Sequence, residues 1–185
     1  MIRTAILSVQ ESNASGGQSG AGSGGNEEAA VAALREVLGR GPYTEVDYQV
    51  VPDEQAIIRA RLRRWADEGA ADLVLTLGGV GAALRHRTPE ATLEVIDRQF
   101  PGIPEVLRSA GSRVEPTAGL WRVVAGVRRN TLIVNLPGGA VAAKVSLGAV
   151  SHLLVWAAGL ISSQKVEIGG PEGSEGGGTS SRTSG

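Results

Sequence analysis

The chain has no cysteine among its 185 residues. A disulfide framework, a thiolate metal site and a thiol nucleophile are therefore excluded. An excess of one charge sign is also missing, because 18 basic residues face 19 acidic ones and leave a formal charge of -1. That balance lacks the electrostatic footprint of a polyanion-binding protein, so no nucleic-acid partner is expected. Nor is there a long apolar run at the start, since Ala5-Ile6-Leu7 is too short for a signal peptide or a membrane span. A cytoplasmic protein with no membrane partner is the expectation. Residues 10–26 carry too little apolar content to form packed structure by themselves.

Many of the 27 glycines fall in two stretches, 16–25 and 169–178, and these are set aside before the fold is read. What remains fits one domain over residues 1–165, interrupted by a Ser/Gly-rich insertion at 11–26 and followed by a Gly/Ser-rich tail at 166–185 that is expected to be disordered. A long loop after a first strand is either a mobile flap over a site or a tolerated insertion.

Alternating patterns place strands at 4–9, 46–51 and around Leu73-Val74-Leu75. A helix starting at Glu27 carries Ala30, Leu34 and Val37 on one face and stops at Gly39. A second opens at Pro52-Asp53-Glu54, with Ile58, Leu62 and Trp65 on one face and Arg59, Arg63 and Arg64 off it. Trp65 reads as a core or interface anchor, the arginines as a solvated face. Thr88-Pro89-Glu90 reads as a helix start with a hydroxyl N-cap, and Leu93, Ile96 and Phe100 continue at helical spacing to Pro101-Gly102. A short helix at 103–110, β-rich runs at 120–127 and 131–134, and a final helix at about 140–162 with Leu147, Val150, Leu154, Ala157 and Ile161 on one stripe complete the pattern. This order predicts a three-layer α/β/α domain with a mainly parallel sheet and right-handed crossovers.

In such sheets ligands bind beyond the carboxyl ends of the strands. Three loops meet that condition: 10–26, 77–87 and 137–139, with Asp53 as a further contributor. Gly78, Gly79 and Gly81 let the main chain approach a ligand without Cβ interference, in the strand, glycine turn and helix order of many phosphate sites. A plain tight turn uses the same glycines. Asp53 is equally a first-turn carboxylate complementing a helix dipole. His152 reads as a packing or surface residue.

Gly78-Gly79-Val80-Gly81, Arg85 and Thr88-Pro89-Glu90-Ala91 resemble the G-G-T-G-x-x-x-R-D-x-T-P-E-A signature of the molybdenum cofactor biosynthesis (MoaB/Mog) family. Asn135-Leu136-Pro137-Gly138 and Val51-Pro52-Asp53-Glu54 resemble that family's N-L-P-G and V-P-D-E segments, in the same order. The resemblance implies a trimeric α/β fold and molybdopterin adenylyltransferase activity, in which the molybdopterin phosphate attacks the α-phosphorus of ATP and pyrophosphate leaves. It implies Mg²⁺ with ATP as cofactor, molybdopterin as substrate, a homotrimer, and contact with other molybdenum cofactor enzymes. Carried onto this chain, Gly78, Gly79, Val80, Gly81, Arg85 and Thr88 belong to the phosphate or substrate site, and Pro137, Gly138 and Gly139 to its facing wall. Asp53 is the catalytic or Mg²⁺-linked carboxylate, and His86 stands at a catalytic position.

The chain departs from the family pattern at that site. His86 stands where aspartate is usual, and an imidazole is a poor ligand for Mg²⁺. Val80 replaces a threonine and so removes a hydroxyl donor. Ala140 follows Gly139 where proline is frequent, and Ser8-Val9-Gln10-Glu11-Ser12 lacks the usual S-D-R pattern. His86 is either a phosphate-binding cation or a solvated loop residue. Two other functions fit these departures: a catalytically weakened pterin-binding or scaffold protein, and a regulatory nucleotide-binding or interaction module using the Arg-rich helix and Trp65.

Overall fold

Strict side-chain alternation along the central strands divides the interior into two layers. In β1 (Ile2–Gln10), Ala5, Leu7 and Val9 pack to one side and Ile6 to the other. In β3 (Leu73–Leu77), Leu73, Leu75 and Leu77 share the layer of Ile6, while Val74 faces the layer of Leu7. β6 (Thr131–Leu136) repeats this, with Leu132, Val134 and Leu136 opposite Ile133. Because alternate residues point to opposite faces, strands buried on both sides require helices on both sides. The computed structural model describes residues 1–11 and 23–168. The flap reading of residues 12–22 and the disorder of the tail beyond residue 168 lie outside the described residues, whereas residues 23–26 of the expected insertion open the first helix and residues 166–168 of the expected tail end the last one.

One side of the sheet is covered by α1 (Ser23–Leu38), α4 (Gly102–Gly111) and α5 (Ala140–Ile168), the other by α2 (Gln55–Asp67) and α3 (Thr88–Leu93). With β2 (Tyr43–Pro52), β4 (Arg98–Gln99) and β5 (Ala125–Arg128), the strand order is β2-β1-β3-β6-β5-β4. β1, β2, β3 and β6 run parallel, and β5 pairs antiparallel with both β6 and β4. The expected mainly parallel three-layer sheet is therefore present. The chain leaves β1 toward β2 and returns past it to β3, so the topological switch point lies between β1 and β3.

In α2, Ile58, Leu62 and Trp65 are buried on one face as their spacing predicts. Trp65 is only 3% exposed and its indole Nε1 donates to Asp47 Oδ2 at 2.9 Å, so it is a core anchor and not part of an interaction face. Residues 140–162 of α5 have a mean hydropathy of 1.7, enough in length and composition to cross a membrane. Its inner stripe of Leu147, Val150, Leu154 and Ile161 is nevertheless buried against the sheet, with Ala158 deeper than Ala157. It is a core helix.

Two of the expected elements differ in kind or extent. The helix expected to run from Thr88 to Phe100 stops at Leu93, which is 45% exposed, and residues 98–99 form the edge strand β4 against β5. Ile96 packs at the margin of the core while Asp97 N–H donates to the Val127 carbonyl, so pairing with β5 overrides the apolar spacing. The expected strand at 120–127 begins only at Ala125, after a 3-10 turn at Pro116–Leu120. Its first half bonds elsewhere: Arg122 N–H donates to the Val80 carbonyl at 2.8 Å, and Val124 N–H to Asn135 Oδ1 at 3.2 Å.

Candidate functional site

Parallel pairing puts the carboxyl ends of β1, β2, β3 and β6 on one edge. Gln10 pairs with Pro52, Ser8 with Leu77, and Leu77 with Leu136. Just beyond these ends lie Glu11, Asp53, the Gly78-Gly79 turn and the Pro137-Gly138-Gly139 loop. The three motifs read from the sequence thus meet in space.

The glycine turn is built for close approach. Gly78 has φ +97° and Gly79 φ +66°, a region that side chains with a Cβ rarely adopt. A Cβ on Gly78 would lie 2.7 Å from the Val9 carbonyl oxygen. One on Gly79 would collide with Thr88 Oγ1 and come within 2.8 Å of Asp53 Oδ2. Gly138 completes the wall, where a Cβ would stand 3.3 Å from Gly78 Cα.

A buried polar network supports this turn from below. Thr88 Oγ1 donates to the Gly78 carbonyl at 3.0 Å, and Thr92 Oγ1 to the Thr88 carbonyl at 2.9 Å. Asn135 Nδ2 donates to Thr76 Oγ1 and to Thr92 Oγ1, each at 2.9 Å. Thr88 is fully buried and supports the turn from below; its hydroxyl makes no N-cap bond, contrary to the expectation from sequence. Buried hydroxyls and amides satisfied in this way rigidify the floor.

Asp53 follows β2 directly, and its N–H donates to the Gln10 carbonyl at 2.6 Å. Its Oδ1 accepts from Arg87 N–H at 2.8 Å, while Oδ2 is buried with no hydrogen-bond partner. Burial raises its pKa above the ordinary aspartate value, opposed by the Arg87 N–H and the nearby His86 and reinforced by Glu11 and Glu90. A buried carboxylate oxygen left unpaired costs free energy, and such costs are retained where a ligand is to be met.

His86 sits beside Gly81 with Nδ1 buried and unpartnered, and its Nε2 lies 3.2 Å from Glu11 Oε1. Arg85 Nη2 donates to the same Glu11 oxygen at 2.9 Å, and this bond with His86's holds the Glu11 carboxyl below its usual range. Val80 turns its side chain into the core at 3% exposure, leaving only its main chain for the site. Pro137 is buried, whereas Gly138 and Gly139 are exposed ahead of α5. The start of α5 leaves unpaired N–H groups and a positive dipole end near the loop.

The sequence reading missed Glu11, Arg122 and Glu27 as part of this edge. Arg122 holds the loop of residues 81–86, donating from Nε to Gly81 O at 3.1 Å, from Nη2 to His86 O at 2.8 Å, and from Nη1 to Glu90 Oε1. Glu27 accepts from Ser8 Oγ and Gln10 Nε2. No spacing rule signals a contact between positions 122 and 86; the partners Gly81, His86 and Glu90 lie within the glycine signature, but Arg122 itself lies outside every motif.

Among the described residues no group of three or more Asp, Glu or His side chains could hold a metal ion alone. Mg²⁺ commonly keeps one or two carboxylates and takes its remaining ligands from substrate phosphates and water. The unpartnered Asp53 Oδ2 fits that kind of site.

A family profile described as "probable molybdopterin binding domain" matches residues 5–154. The molybdopterin adenylyltransferase of Escherichia coli K12 is 44% identical over 120 residues, 64% of this chain and 62% of that protein. The chain thus matches less than two thirds of that relative's length. The molybdopterin adenylyltransferase of Helicobacter pylori J99 is 38% identical over 139 residues, 74% of this chain and 78% of its own. The crystal structure of the molybdopterin biosynthesis enzyme MoaB from Thermus thermophilus superposes with a TM-score of 0.76 at 44% identity, covering 88% of this chain and 98% of that one.

Proposed function

The chain belongs to the probable molybdopterin binding domain family, and from that premise we propose that it is a molybdopterin adenylyltransferase acting in molybdenum cofactor biosynthesis. The observation that carries this reading is the meeting of Asp53, the Gly78-Gly79 turn and the Pro137-Gly138 loop at one sheet edge, with Asp53 Oδ2 buried and unpartnered. In the reaction a phosphate oxygen of molybdopterin forms a bond to the α-phosphorus of ATP, and the bond to pyrophosphate breaks. Both reactants are anions, so the protein has to align them and offset charge.

Gly78 and Gly79 keep the approach to Asp53 open, and Pro137, Gly138 and Gly139 bound the opposite wall. The start of α5 presents its positive end to an anion at that wall. Arg85 and His86 offer cationic or donor contacts once an incoming phosphate competes with Glu11. Asp53 would hold Mg²⁺ together with substrate phosphates. When bound, the ion would neutralise phosphate charge. The Thr88, Thr92 and Asn135 network keeps these parts from shifting.

A homotrimer in the cytoplasm, able to hand product to other molybdenum cofactor enzymes, goes with this reading. Trp156, 73% exposed beside a groove lined by Phe100, Leu153 and Ala157, supports self-association because large exposed apolar patches mark interfaces. Sedimentation of the purified protein tests the trimer.

A second reading, a pterin-binding relative with weakened catalysis, is favoured by one observation: an imidazole paired with Glu11 stands at the family's aspartate position. Calorimetric titration with molybdopterin and with ATP plus Mg²⁺, followed by pyrophosphate release from the mixture, separates the two. Binding of both with turnover supports adenylyl transfer; pterin binding without pyrophosphate release supports the second reading.

A further inference from the structure

Arg122 lies between the 3-10 turn and β5, outside every motif read from the sequence. Its Nη2 donates to the His86 carbonyl at 2.8 Å. That carbonyl belongs to the same planar peptide group as the Arg87 N–H. The Arg87 N–H donates to Asp53 Oδ1 at 2.8 Å. One rigid unit therefore runs from the Arg122 guanidinium to the Asp53 carboxylate. Holding the carbonyl fixes the direction of the N–H across the peptide plane, and a bond accepted at the carbonyl strengthens the one donated by the N–H.

The other contacts of Arg122 reinforce this geometry. Nε donates to Gly81 O at 3.1 Å, so both ends of the loop 81–86 are held by one side chain. Its own N–H donates to Val80 O at 2.8 Å, which ties its main chain to the glycine turn. Glu90, on the first turn of α3, accepts from Nη1 and orients the guanidinium plane. The planar fork of arginine reaches two carbonyls and a carboxylate at once, which a lysine ammonium cannot reproduce. As an ion pair with both partners more than 30% exposed, Arg122 and Glu90 contribute little to stability.

We propose that Arg122 is a positioning residue for Asp53, acting through the peptide group that joins His86 to Arg87. Its consequence for turnover rests on the adenylyl-transfer reading of the site; its consequence for the Arg87 amide does not.

The test uses Arg122→Met and Arg122→Lys in the full chain. In ligand-free ¹⁵N-labelled protein, the Arg87 amide proton moves upfield in Arg122→Met and exchanges with solvent roughly tenfold faster or more, as a loosened local hydrogen bond should. Amides of β3 and β6 keep their wild-type exchange. Arg122→Lys, retaining one donor group, gives a smaller change in the same direction and carries the test if Arg122→Met does not fold. In pyrophosphate-release kinetics Arg122→Met lowers kcat by about 10- to 100-fold with KM for ATP changed only a few-fold, the signature of misplacement without lost binding. An Arg87 amide unchanged in both variants overturns the proposal, as does a displaced amide with unchanged kcat. Absence of turnover in the wild-type protein would instead overturn the adenylyl-transfer reading, and the amide measurement would still decide whether Arg122 positions Asp53.

Discussion

The two edges of the sheet are built to different rules. At the amino ends of the strands polar groups find partners: Arg3 pairs with both carboxylate oxygens of Asp72 and donates to the Gly69 carbonyl, Arg128 pairs with Asp67, and Thr131 Oγ1 donates to the Ala71 carbonyl. At the carboxyl ends, Asp53 Oδ2 and His86 Nδ1 are buried without partners, two of the three such atoms among the described residues. Glycine is used differently as well. Gly69, near the amino edge, has φ +63° with nothing within 4 Å of a Cβ, whereas Gly79 has φ +66° and a Cβ would strike Thr88 and Asp53. One edge has these polar groups paired, and the other keeps two buried polar atoms unpaired.

Asp53→Asn sharpens that contrast most. Turnover should fall on the order of 100-fold or more in a pyrophosphate-release assay. The melting temperature should hold or rise. The sign follows from the raised pKa of Asp53: the contribution of such a group to stability is present below its unfolded pKa of about 3.9 and is lost as pH rises through the higher folded value. Ionised Asp53 therefore destabilises the fold at neutral pH, and a neutral amide does not. By the same shift, activity that needs the carboxylate should fall with decreasing pH already above the ordinary aspartate range.

Next come the paired glycines. Gly69→Ala should cost about 1 kcal/mol from backbone conformation alone and leave turnover intact. Gly79→Ala should cost more, about 2 to 4 kcal/mol, and abolish nucleotide binding, because backbone strain and collision add. Equal costs in denaturant titrations would erase the distinction between the edges.

Smaller effects follow at the charges. Glu11→Gln releases Arg85 and His86 and should tighten binding of ATP several-fold at low ionic strength, about 1 kcal/mol by calorimetry; weaker binding would mean that Glu11 serves the ligand directly. Arg3→Ala, at the opposite edge, should lower stability by about 1 kcal/mol or less and leave ATP affinity unchanged.

Much of the fold was legible because the strands are local and strongly patterned. The apolar run Leu73-Val74-Leu75 and the Ile58, Leu62 and Trp65 face of α2 each reflect one element's own periodicity, and the alternation of Val46, Tyr48 and Val50 located β2 but not its face, because these three side chains are exposed while Asp47 and Gln49 are half-buried. Leu93, Ile96 and Phe100 misled because pairing of β4 with β5 depends on residues about 30 positions away, and no helical spacing carries that information. The candidate site was legible in its glycines, in Asp53 and in the Asn135 loop, which lie on short motifs. Its supports were not. Arg122 and Glu11 meet the loop 81–86 across sequence separations of 36 and 75 residues, so only the folded chain shows them.

The most direct measurement is pyrophosphate release by the purified protein given molybdopterin, ATP and Mg²⁺, run beside Asp53→Asn. The proposed function predicts release that requires both substrates and yields adenylylated molybdopterin, with the variant reduced on the order of 100-fold. Tight molybdopterin binding by the folded wild-type protein with no pyrophosphate released would contradict it.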